Sequence, residues 1–192
     1  MDAFQPHAYF QRTPRPPDRW RALGMQLHAY KLNGGGILLD GASNKYCHWN
    51  DLGGWSDWGQ GVIERIREHT RLPIVYRPRP SHNEAPVVRG RDVRTSNAGL
   101  LDDFRQCRVV ASHGGNIGFD CAVYGKPHFA IGASVARALS ETDWRRVEVP
   151  FYPHDDERVQ WLHDVAYCQW TIDEFADGSA WRYIRGVIDE LR

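Results

Sequence analysis

The stretch SHGGN at 112–116 is the densest group of residues suited to ligand chemistry, and it follows an apolar run at 109–111. Two consecutive glycines after a strand let the backbone approach a ligand closely, because glycine has no side chain. A helix that begins there presents free N–H groups and the positive end of its dipole to phosphate. The predicted ligand contacts are Ser112, Gly114, Gly115 and Asn116, with Asp120 one turn into the helix accepting from sugar or ribose hydroxyls.

Two other loops carry residues that suit the same anionic ligand. The loop DGASNK at 40–45 follows an apolar run at 37–39, and it offers the small Ser43 and the cation Lys45, one of three lysines in the chain. Arg77 stands in the sequence YRPRP after a second apolar run, with Arg79 two residues later. A guanidinium at the end of a strand can hold phosphate or carboxylate with two hydrogen bonds. We therefore predict ligand contacts from Ser43, Lys45 and Arg77.

The elements that must position these loops alternate between strand and helix. Short apolar runs bounded by glycine or proline predict strands at 37–39, 72–80, 108–115 and 126–132. Helical patterns occupy 55–70, 100–107 and 116–125, the last of which ends on Gly125. This order predicts an α/β fold, a single Rossmann-like domain with a parallel sheet flanked by helices. Ligands bind such sheets outside the carboxyl ends of the strands, where the three loops would converge.

The remaining segments of the chain do not show this alternation of strands and helices. Residues 1–33 contain four prolines and predict an N-terminal arm that packs on a domain at 34–192 through residues such as Trp20 and Leu27. Residues 81–100 are polar and rich in turn formers, so we predict a loop or an irregular excursion there. Two further helices are predicted around 157–170 and 178–192.

The stretch from His113 to Pro127 resembles the nucleotide-sugar-binding half of GT-B-fold glycosyltransferases. That family carries a strand, then His/Ser-Gly-Gly, a helix with an acidic residue, and Gly-x-Pro. The matching positions here are His113, Gly114, Gly115, Asp120, Gly125 and Pro127. The resemblance implies that the glycines approach a diphosphate, that Asp120 contacts a nucleotide hydroxyl, and that no cofactor or catalytic metal is needed beyond the nucleotide-sugar donor.

A second resemblance concerns the acceptor. The stretch from Trp20 to Trp181 is similar to small proteins of tailed phages and prophages, including the pattern RxxWLxxxAYxQWT at 158–171. Residues 71–108 also hold eight arginines against four acidic residues. Together these features imply transfer to modified, hydroxymethylated bases of phage DNA. The acceptor hydroxyl must lose a proton, and Asp40, His113 and His48 are the candidate bases, of which we favour His113 and Asp40.

GT-B enzymes use two Rossmann-like domains, whereas the 192 residues here suit one. The arm and the 81–100 loop could hold the acceptor, or a homodimer or partner subunit could complete the cleft. Two other interpretations stay open. The chain could be a non-catalytic nucleotide- or nucleic-acid-binding partner subunit, or a sugar-nucleotide epimerase-like enzyme.

Composition excludes several other classes. The 24 basic residues balance 24 acidic ones, which argues against a strongly basic nucleic-acid coat or a polybasic membrane binder. The four cysteines have no zinc-ligand spacing, so we predict no metal site. Neither a signal peptide nor a long apolar segment is visible in the sequence, and we expect no membrane partner and a cytoplasmic location.

Overall fold

Five short strands form one parallel sheet in the order β3-β2-β1-β4-β5. The computed structural model describes residues 14–31, 34–79 and 87–190. The strands are β1 (Gly36–Asp40), β2 (Ile74–Arg77), β3 (Val93–Thr95), β4 (Cys107–Ser112) and β5 (His128–Ala130). The parallel sheet and its flanking helices confirm the predicted α/β, Rossmann-like fold class.

Eight α-helices lie within the described residues. They are α1 (Asp18–Ala22), α2 (Asn44–Trp49), α3 (Trp55–Arg67), α4 (Leu100–Gln106), α5 (Ile117–Tyr124), α6 (Asp155–Ala166), α7 (Ile172–Ala176) and α8 (Ser179–Glu190). Short 3-10 turns cover Val135–Leu139 and Trp144–Arg146. The predicted helices at 55–70, 100–107 and 116–125 are confirmed as α3, α4 and α5, and those around 157–170 and 178–192 as α6 and α8. The sequence did not indicate α1, α2 or α7.

The sheet is buried on both faces, because successive side chains of a strand point in opposite directions. Ile37 and Leu39 of β1 pack with Ile63 and Ile66 of α3 on one face. Leu38, between them, joins the cluster on the other face, which includes residues of α4 and α5. All five β1 residues are buried, and β1 pairs with β2 on one side and with β4 on the other, so this strand is the centre of the sheet.

The edge strand β3 corrects the prediction of a loop throughout 81–100. Val93 and Thr95 pair in parallel with Ile74 and Tyr76 of β2, and Ser96 N donates to Tyr76 O at 2.7 Å. β3 has only three residues, none of them buried, so it lacks the apolar run that reveals an inner strand. Residues 80–86 lie outside the described part of the chain.

The segment at 14–31 runs along the helices α5 and α6. Trp20 is buried and contacts Phe119 edge-on, with ring centroids 6.3 Å apart, and Leu27 packs beside it. His28 N donates to Val123 O at 2.9 Å, and a Cβ on Gly125 would lie 2.2 Å from Ala29 O. Gly125 follows α5 with φ +66°, as the sequence predicted for a residue that ends a helix. The boundary at 33/34 stays a prediction, since residues 32–33 and 1–13 lie outside the described ranges.

Candidate active site

A pocket opens at the carboxyl ends of β1, β2 and β4, where the three predicted loops were expected to meet. It holds about 200 Å³ of empty space, part of it open to solvent. Its walls are Asp40, Gly41, Ala42, Tyr46, Arg79, His113 and Gly114. The prediction that these three loops share one crevice is therefore confirmed by their positions.

Asp40 is the last residue of β1 and forms the inner wall of this pocket. In the sheet it is paired with Arg77 of β2 and Ser112 of β4, and only 9% of its surface is exposed. Burial raises the pKa of Asp40 to about 7, although Arg79 and Arg77 oppose that shift and Asp120 adds to it. A carboxyl group with such a pKa both accepts and releases protons near neutral pH, as a general base must.

Arg79 connects the loop after β2 with the glycine turn after β4. Its Nη2 donates to Gly114 O at 3.3 Å and lies 3.8 Å from Asp40 Oδ2. Gly115 has φ +86°, and a Cβ on it would stand 1.8 Å from the same Nη2. Gly115 is thus required both for its backbone conformation and for the space that the guanidinium occupies. Among the described residues that line the pocket, Arg79 is the only lysine or arginine.

His113 is packed between aromatic residues at the pocket wall. Its Nδ1 is hydrogen-bonded to Tyr46 Oη at 3.0 Å, and Trp58 meets the ring edge-on at 6.0 Å between centroids. A Cβ on Gly132 would lie 2.5 Å from the ring, so the imidazole passes directly over that glycine. Burial lowers the pKa of His113, and the ring is therefore neutral at pH 7.

The helix α5 begins next to the glycine turn and carries two of the predicted residues. Asn116 is the exposed residue before the helix, and its side chain makes no capping hydrogen bond. Asp120, in the first turn, is half-buried, and burial raises its pKa. Its negative charge makes a small contribution to the raised pKa of Asp40.

The predicted contacts Ser43 and Lys45 lie outside this pocket wall. Ser43 precedes α2, and its Oγ accepts a hydrogen bond from Tyr46 N at 3.1 Å, which is a helix-capping contact. Lys45 is exposed on α2. The loop at 40–45 therefore contributes its first residues to the pocket, and its later residues form a helix.

Arg77, the third predicted ligand contact outside the pocket wall, is bonded to α4 and to the loop before it. Its Nη1 donates to Ala98 O and to Asp103 Oδ2, both at 2.7 Å, and the Asp103 side chain is fully buried. Ser96 Oγ donates to the same carboxylate at 2.7 Å. Arg77 thus joins β2 to α4 and the loop before it, and its influence on the pocket is electrostatic, through the pKa of Asp40.

Ser112 is buried beneath the glycine turn and belongs to a chain of hydrogen bonds. Its Oγ is 2.8 Å from His128 Nε2, and His128 Nδ1 is 2.7 Å from Ser140 Oγ. Ser140 Oγ donates to Ala136 O, so its own oxygen accepts from Nδ1 and the Nε2 atom accepts from Ser112. Burial lowers the pKa of His128 to about 4, in agreement with this neutral tautomer.

Two pocket residues were missed or undervalued by the sequence reasoning. Tyr46 lies on the unpredicted helix α2, and its only sequence signal was the N-capping Ser43 three residues earlier. Arg79 was considered together with Arg77, but the spacing alone could not tell which of the two guanidinium groups faces the pocket. Alternate strand residues point to opposite faces, yet Arg79 lies beyond the end of β2, where that rule no longer applies.

Across the described ranges 14–31, 34–79 and 87–190, the structure contains no cluster of three or more His, Cys, Asp or Glu side chains able to hold a metal ion. In the same ranges, no helix has the length and apolar character required to cross a bilayer.

Searches of protein-family models, curated proteins and solved structures found no match to this chain.

Proposed function

We propose that this chain is a glycosyltransferase-like enzyme that transfers a sugar from a nucleotide-diphosphate sugar. The observation that carries the proposal is the position of the pocket, between the loops that follow β1 and β4. In the order β3-β2-β1-β4-β5 these adjacent strands lead to opposite halves of the sheet. Nucleotide ligands of parallel sheets bind at such a switch point, outside the carboxyl ends of the strands.

Asp40 is the general base in this proposal. It takes the proton of the acceptor hydroxyl, whose oxygen bonds to the anomeric carbon of the donor sugar. The bond from that carbon to the diphosphate oxygen breaks, and the nucleotide diphosphate leaves with the electron pair. Asp40 is better suited to this step than His113, because its pKa lies near 7 and the Nδ1 atom of His113 is already bonded to Tyr46.

Arg79 and the beginning of α5 stabilise the leaving diphosphate. The guanidinium lies over Gly115, next to the N–H groups that begin the helix. A cation and a helix N-terminus at that point offset the negative charge that develops as the bond breaks. Asp120, one turn further, accepts from a hydroxyl of the sugar or ribose, and His113 offers a neutral ring to the same ligand.

The pocket is small for a whole nucleotide sugar. Its empty space of about 200 Å³ includes volume open to solvent, so the enclosed part is smaller still. One portion of the donor therefore enters between Asp40 and Gly114, and the remainder lies along the carboxyl edge of the sheet. Entry of a phosphate group also requires Arg79 to turn away from Gly114 and to bond the ligand instead.

The acceptor in this proposal is a hydroxymethylated base in DNA. Support comes from exposed arginines of the Arg-rich stretch at 71–108: Arg91 has a side chain that is 95% exposed, and Arg71 and Arg89 are exposed too. These three arginines precede β2 or β3 and therefore lie toward the amino ends of the strands, away from the pocket. Such residues bind phosphates without reading sequence, and their contribution falls steeply with salt.

The direct experiment measures release of nucleotide diphosphate from a panel of sugar nucleotides, with and without hydroxymethylated DNA. Release that depends on both substrates is the expected result. Asp40→Asn should reduce the rate by about 10²–10⁴, and Arg79→Met should reduce it by at least about 10². Arg145→Met is the matched control and should retain the rate, because Arg145 is an exposed arginine that does not belong to the pocket wall. Absence of release with every donor would overturn the enzyme proposal, and sugar conversion without an acceptor would indicate an epimerase-like reaction.

A non-catalytic nucleotide- or nucleic-acid-binding partner subunit is the second candidate. It is favoured by the small volume of the pocket and by its charge, since the described residues of the wall include one arginine and no lysine. Thermal unfolding distinguishes the two candidates, because a bound ligand stabilises the folded state. Stabilisation by a nucleotide sugar, lost in Asp120→Ala, supports the transferase. Stabilisation by DNA alone, decreasing steeply with salt, supports the binding subunit.

A further inference from the structure

The Arg79 guanidinium lies where an anion bound at the glycine turn would have to lie. Its Nη2 donates to Gly114 O at 3.3 Å and stands 1.8 Å from the position that a Cβ on Gly115 would take. This space is next to the beginning of α5, where a helix N-terminus favours phosphate. Two groups cannot fill one volume, so Arg79 must move when an anion binds there.

Few contacts hold Arg79 in this position. Within the described part of the chain, its guanidinium makes one hydrogen bond, to Gly114 O, and one ion pair, with Asp40 Oδ2 at 3.8 Å. Both distances exceed the roughly 2.7–2.9 Å of a charge-assisted hydrogen bond, and the side chain is 37% exposed. A guanidinium has five N–H donors, so an anion that offers two oxygens is a better partner than either of these groups.

Asp40 loses its nearest cation when Arg79 moves. Its carboxylate accepts no hydrogen bond from the residues that the structure describes, and among them Arg79 is the only lysine or arginine within 4 Å of it. Only 9% of the surface of Asp40 is exposed, so water replaces little of the missing interaction. The other titratable groups around it come from β2, α5, α2 and the turn after β4: Arg77, Asp120, Tyr46 and His113.

None of these neighbours takes the place of Arg79. Arg77 is bonded to the buried Asp103 carboxylate at 2.7 Å. Burial lowers the pKa of His113, so its ring is neutral at pH 7. Asp120 has the same sign of charge as Asp40 when both are ionised. The carboxylate of Asp40 would therefore remain buried without a compensating cation nearby.

A buried carboxylate in this situation binds a proton. Burial raises the pKa of Asp40 to about 7, and Arg79 and then Arg77 limit that rise. An anion that neutralises Arg79 removes the larger of these two opposing effects and adds negative charge close by. We propose that binding of an anion at the glycine turn is coupled to uptake of one proton by Asp40, with Arg79 exchanging one partner for the other.

The coupling makes the affinity for the donor depend on pH. At low pH Asp40 is protonated with or without the anion, and the affinity is constant. Above pH 7 the free protein must take up a proton in order to bind, so the affinity should fall by up to about tenfold per pH unit. This inference rests on the anion-binding role proposed for the pocket and not on the transfer step, so it is tested without any transfer of sugar.

Carbon-13 NMR of the Asp40 carboxyl group in the full chain tests the coupling. Sulfate is the probe, because it keeps its double charge across the pH range used. The midpoint of the Asp40 titration should be higher by about one pH unit or more in sodium sulfate than in sodium chloride of equal ionic strength. Arg79→Met should have a raised midpoint in chloride and no further rise in sulfate. Arg145→Met is the matched control and should behave as the wild type, because Arg145 is exposed and does not belong to the pocket wall.

Calorimetry with a nucleotide sugar provides a second measurement, because its diphosphate does not titrate near neutral pH. Titration in two buffers of different ionisation enthalpy gives the number of protons taken up. At pH 7.5 we expect about half a proton or more for the wild type and none for Asp40→Asn, whose affinity should not depend on pH.

Two results would overturn the coupling: an Asp40 midpoint that is the same in sulfate and chloride, or an Arg79→Met midpoint that still rises in sulfate. A protein that shows the rise in sulfate, but neither binds a nucleotide sugar nor releases nucleotide diphosphate, would retain the coupling and contradict the transferase proposal.

Discussion

Arg79 and Gly115 are matched in space, because the Arg79 guanidinium occupies the volume that any side chain at position 115 would need. A Cβ there would stand 1.8 Å from Arg79 Nη2, and the same nitrogen donates to Gly114 O. One side chain thus links the loop after β2 to the turn after β4, across the end of β1. The cation of the pocket and its glycine turn form a single unit.

Gly115→Ala should disturb this unit in two ways. The backbone at φ +86° disfavours alanine, and the new methyl group would displace the Arg79 guanidinium. We expect the free energy of unfolding to fall by about 1–3 kcal/mol and the binding of nucleotide sugars to weaken. Urea denaturation and ligand titration measure the two effects.

Gly61→Ala is the control for that substitution. Gly61 lies inside α3, where a Cβ would have no neighbour within 4 Å and the backbone is helical. Alanine there should increase the free energy of unfolding by up to about 1 kcal/mol, with no change in ligand binding. A Gly115→Ala protein as stable as the wild type would contradict the relationship between Arg79 and Gly115.

Substitution by methionine at Arg77 should mainly reduce stability, whereas the same substitution at Arg79 should mainly reduce ligand binding. Arg77→Met leaves the fully buried Asp103 carboxylate without its cation, so the free energy of unfolding should fall by about 3 kcal/mol. Arg79→Met breaks a longer, partly exposed contact to Asp40 and should change it by less than about 1 kcal/mol.

Ligand binding should show the reverse order for this pair. Arg79→Met should abolish stabilisation by nucleotide sugars, whereas Arg77→Met should retain it at temperatures where the protein is folded. Thermal unfolding with and without ligand gives both quantities from one series. Equal losses of ligand stabilisation in the two variants would show that Arg77 also reaches the ligand.

The order of strands and helices was predictable because it depends on local patterns. β1, β2 and β4 are short apolar runs next to glycine or proline, and α3 has a clear apolar stripe at Val62, Ile63 and Ile66. The meeting of three loops at one edge then followed from the geometry of parallel sheets. The edge strand β3 was not predictable, because it is polar and depends on its pairing with β2.

The direction of individual side chains was much less predictable. Lys45 is exposed on α2 and is not part of the pocket wall, and this short helix, which begins one residue earlier, has little apolar periodicity of its own. Arg77 is engaged by Asp103, a partner 26 residues away that only the packing of α4 brings near. Tyr46 enters the site for the same reason, since its contact with His113 spans 67 residues. Long-range contacts of this kind have no signature in a single sequence.

His128 should make the protein sensitive to acid. Its pKa is about 4 when folded and near 6.5 when unfolded, so between these values the unfolded state binds more protons. The contribution of His128 to stability is therefore complete above pH 6.5 and decreases as the pH falls toward 4. In His128→Gln the free energy of unfolding should be lower at pH 7 and should change less between pH 6.5 and 4.

The exposed His48 provides the comparison for that experiment. His48→Gln should preserve the wild-type pH dependence of the free energy of unfolding, because replacing this exposed side chain leaves the buried hydrogen bonds of His128 unchanged. Urea denaturation at half-unit steps of pH gives the free energy of unfolding against pH for the wild type, His128→Gln and His48→Gln. An unchanged slope in His128→Gln would show that other groups govern the loss of stability in acid.

Asp40 should make stability depend on pH in the opposite direction to His128. Its folded pKa of about 7 exceeds the unfolded value near 3.9, so between these values the folded state binds more protons. Stability from this group is complete below pH 4 and is lost as the pH rises toward 7. Asp40→Asn removes the buried charge, and the variant should unfold at a higher urea concentration than the wild type at pH 8. The difference between the two proteins should shrink toward pH 4.

The same substitution should reduce the rate of transfer by about 10²–10⁴ while donor binding is retained. The wild-type rate should rise as the pH increases through 7, because only the ionised Asp40 carboxylate accepts the proton of the acceptor hydroxyl. Asp40→Asn keeps the shape of the pocket wall and the neighbouring Arg79, so a nucleotide sugar should still raise its unfolding temperature. A variant that is more stable at pH 8, binds the donor and releases nucleotide diphosphate at this reduced rate would separate the chemical role of Asp40 from its structural one. Retained release with a wild-type pH profile would assign the base to His113 instead.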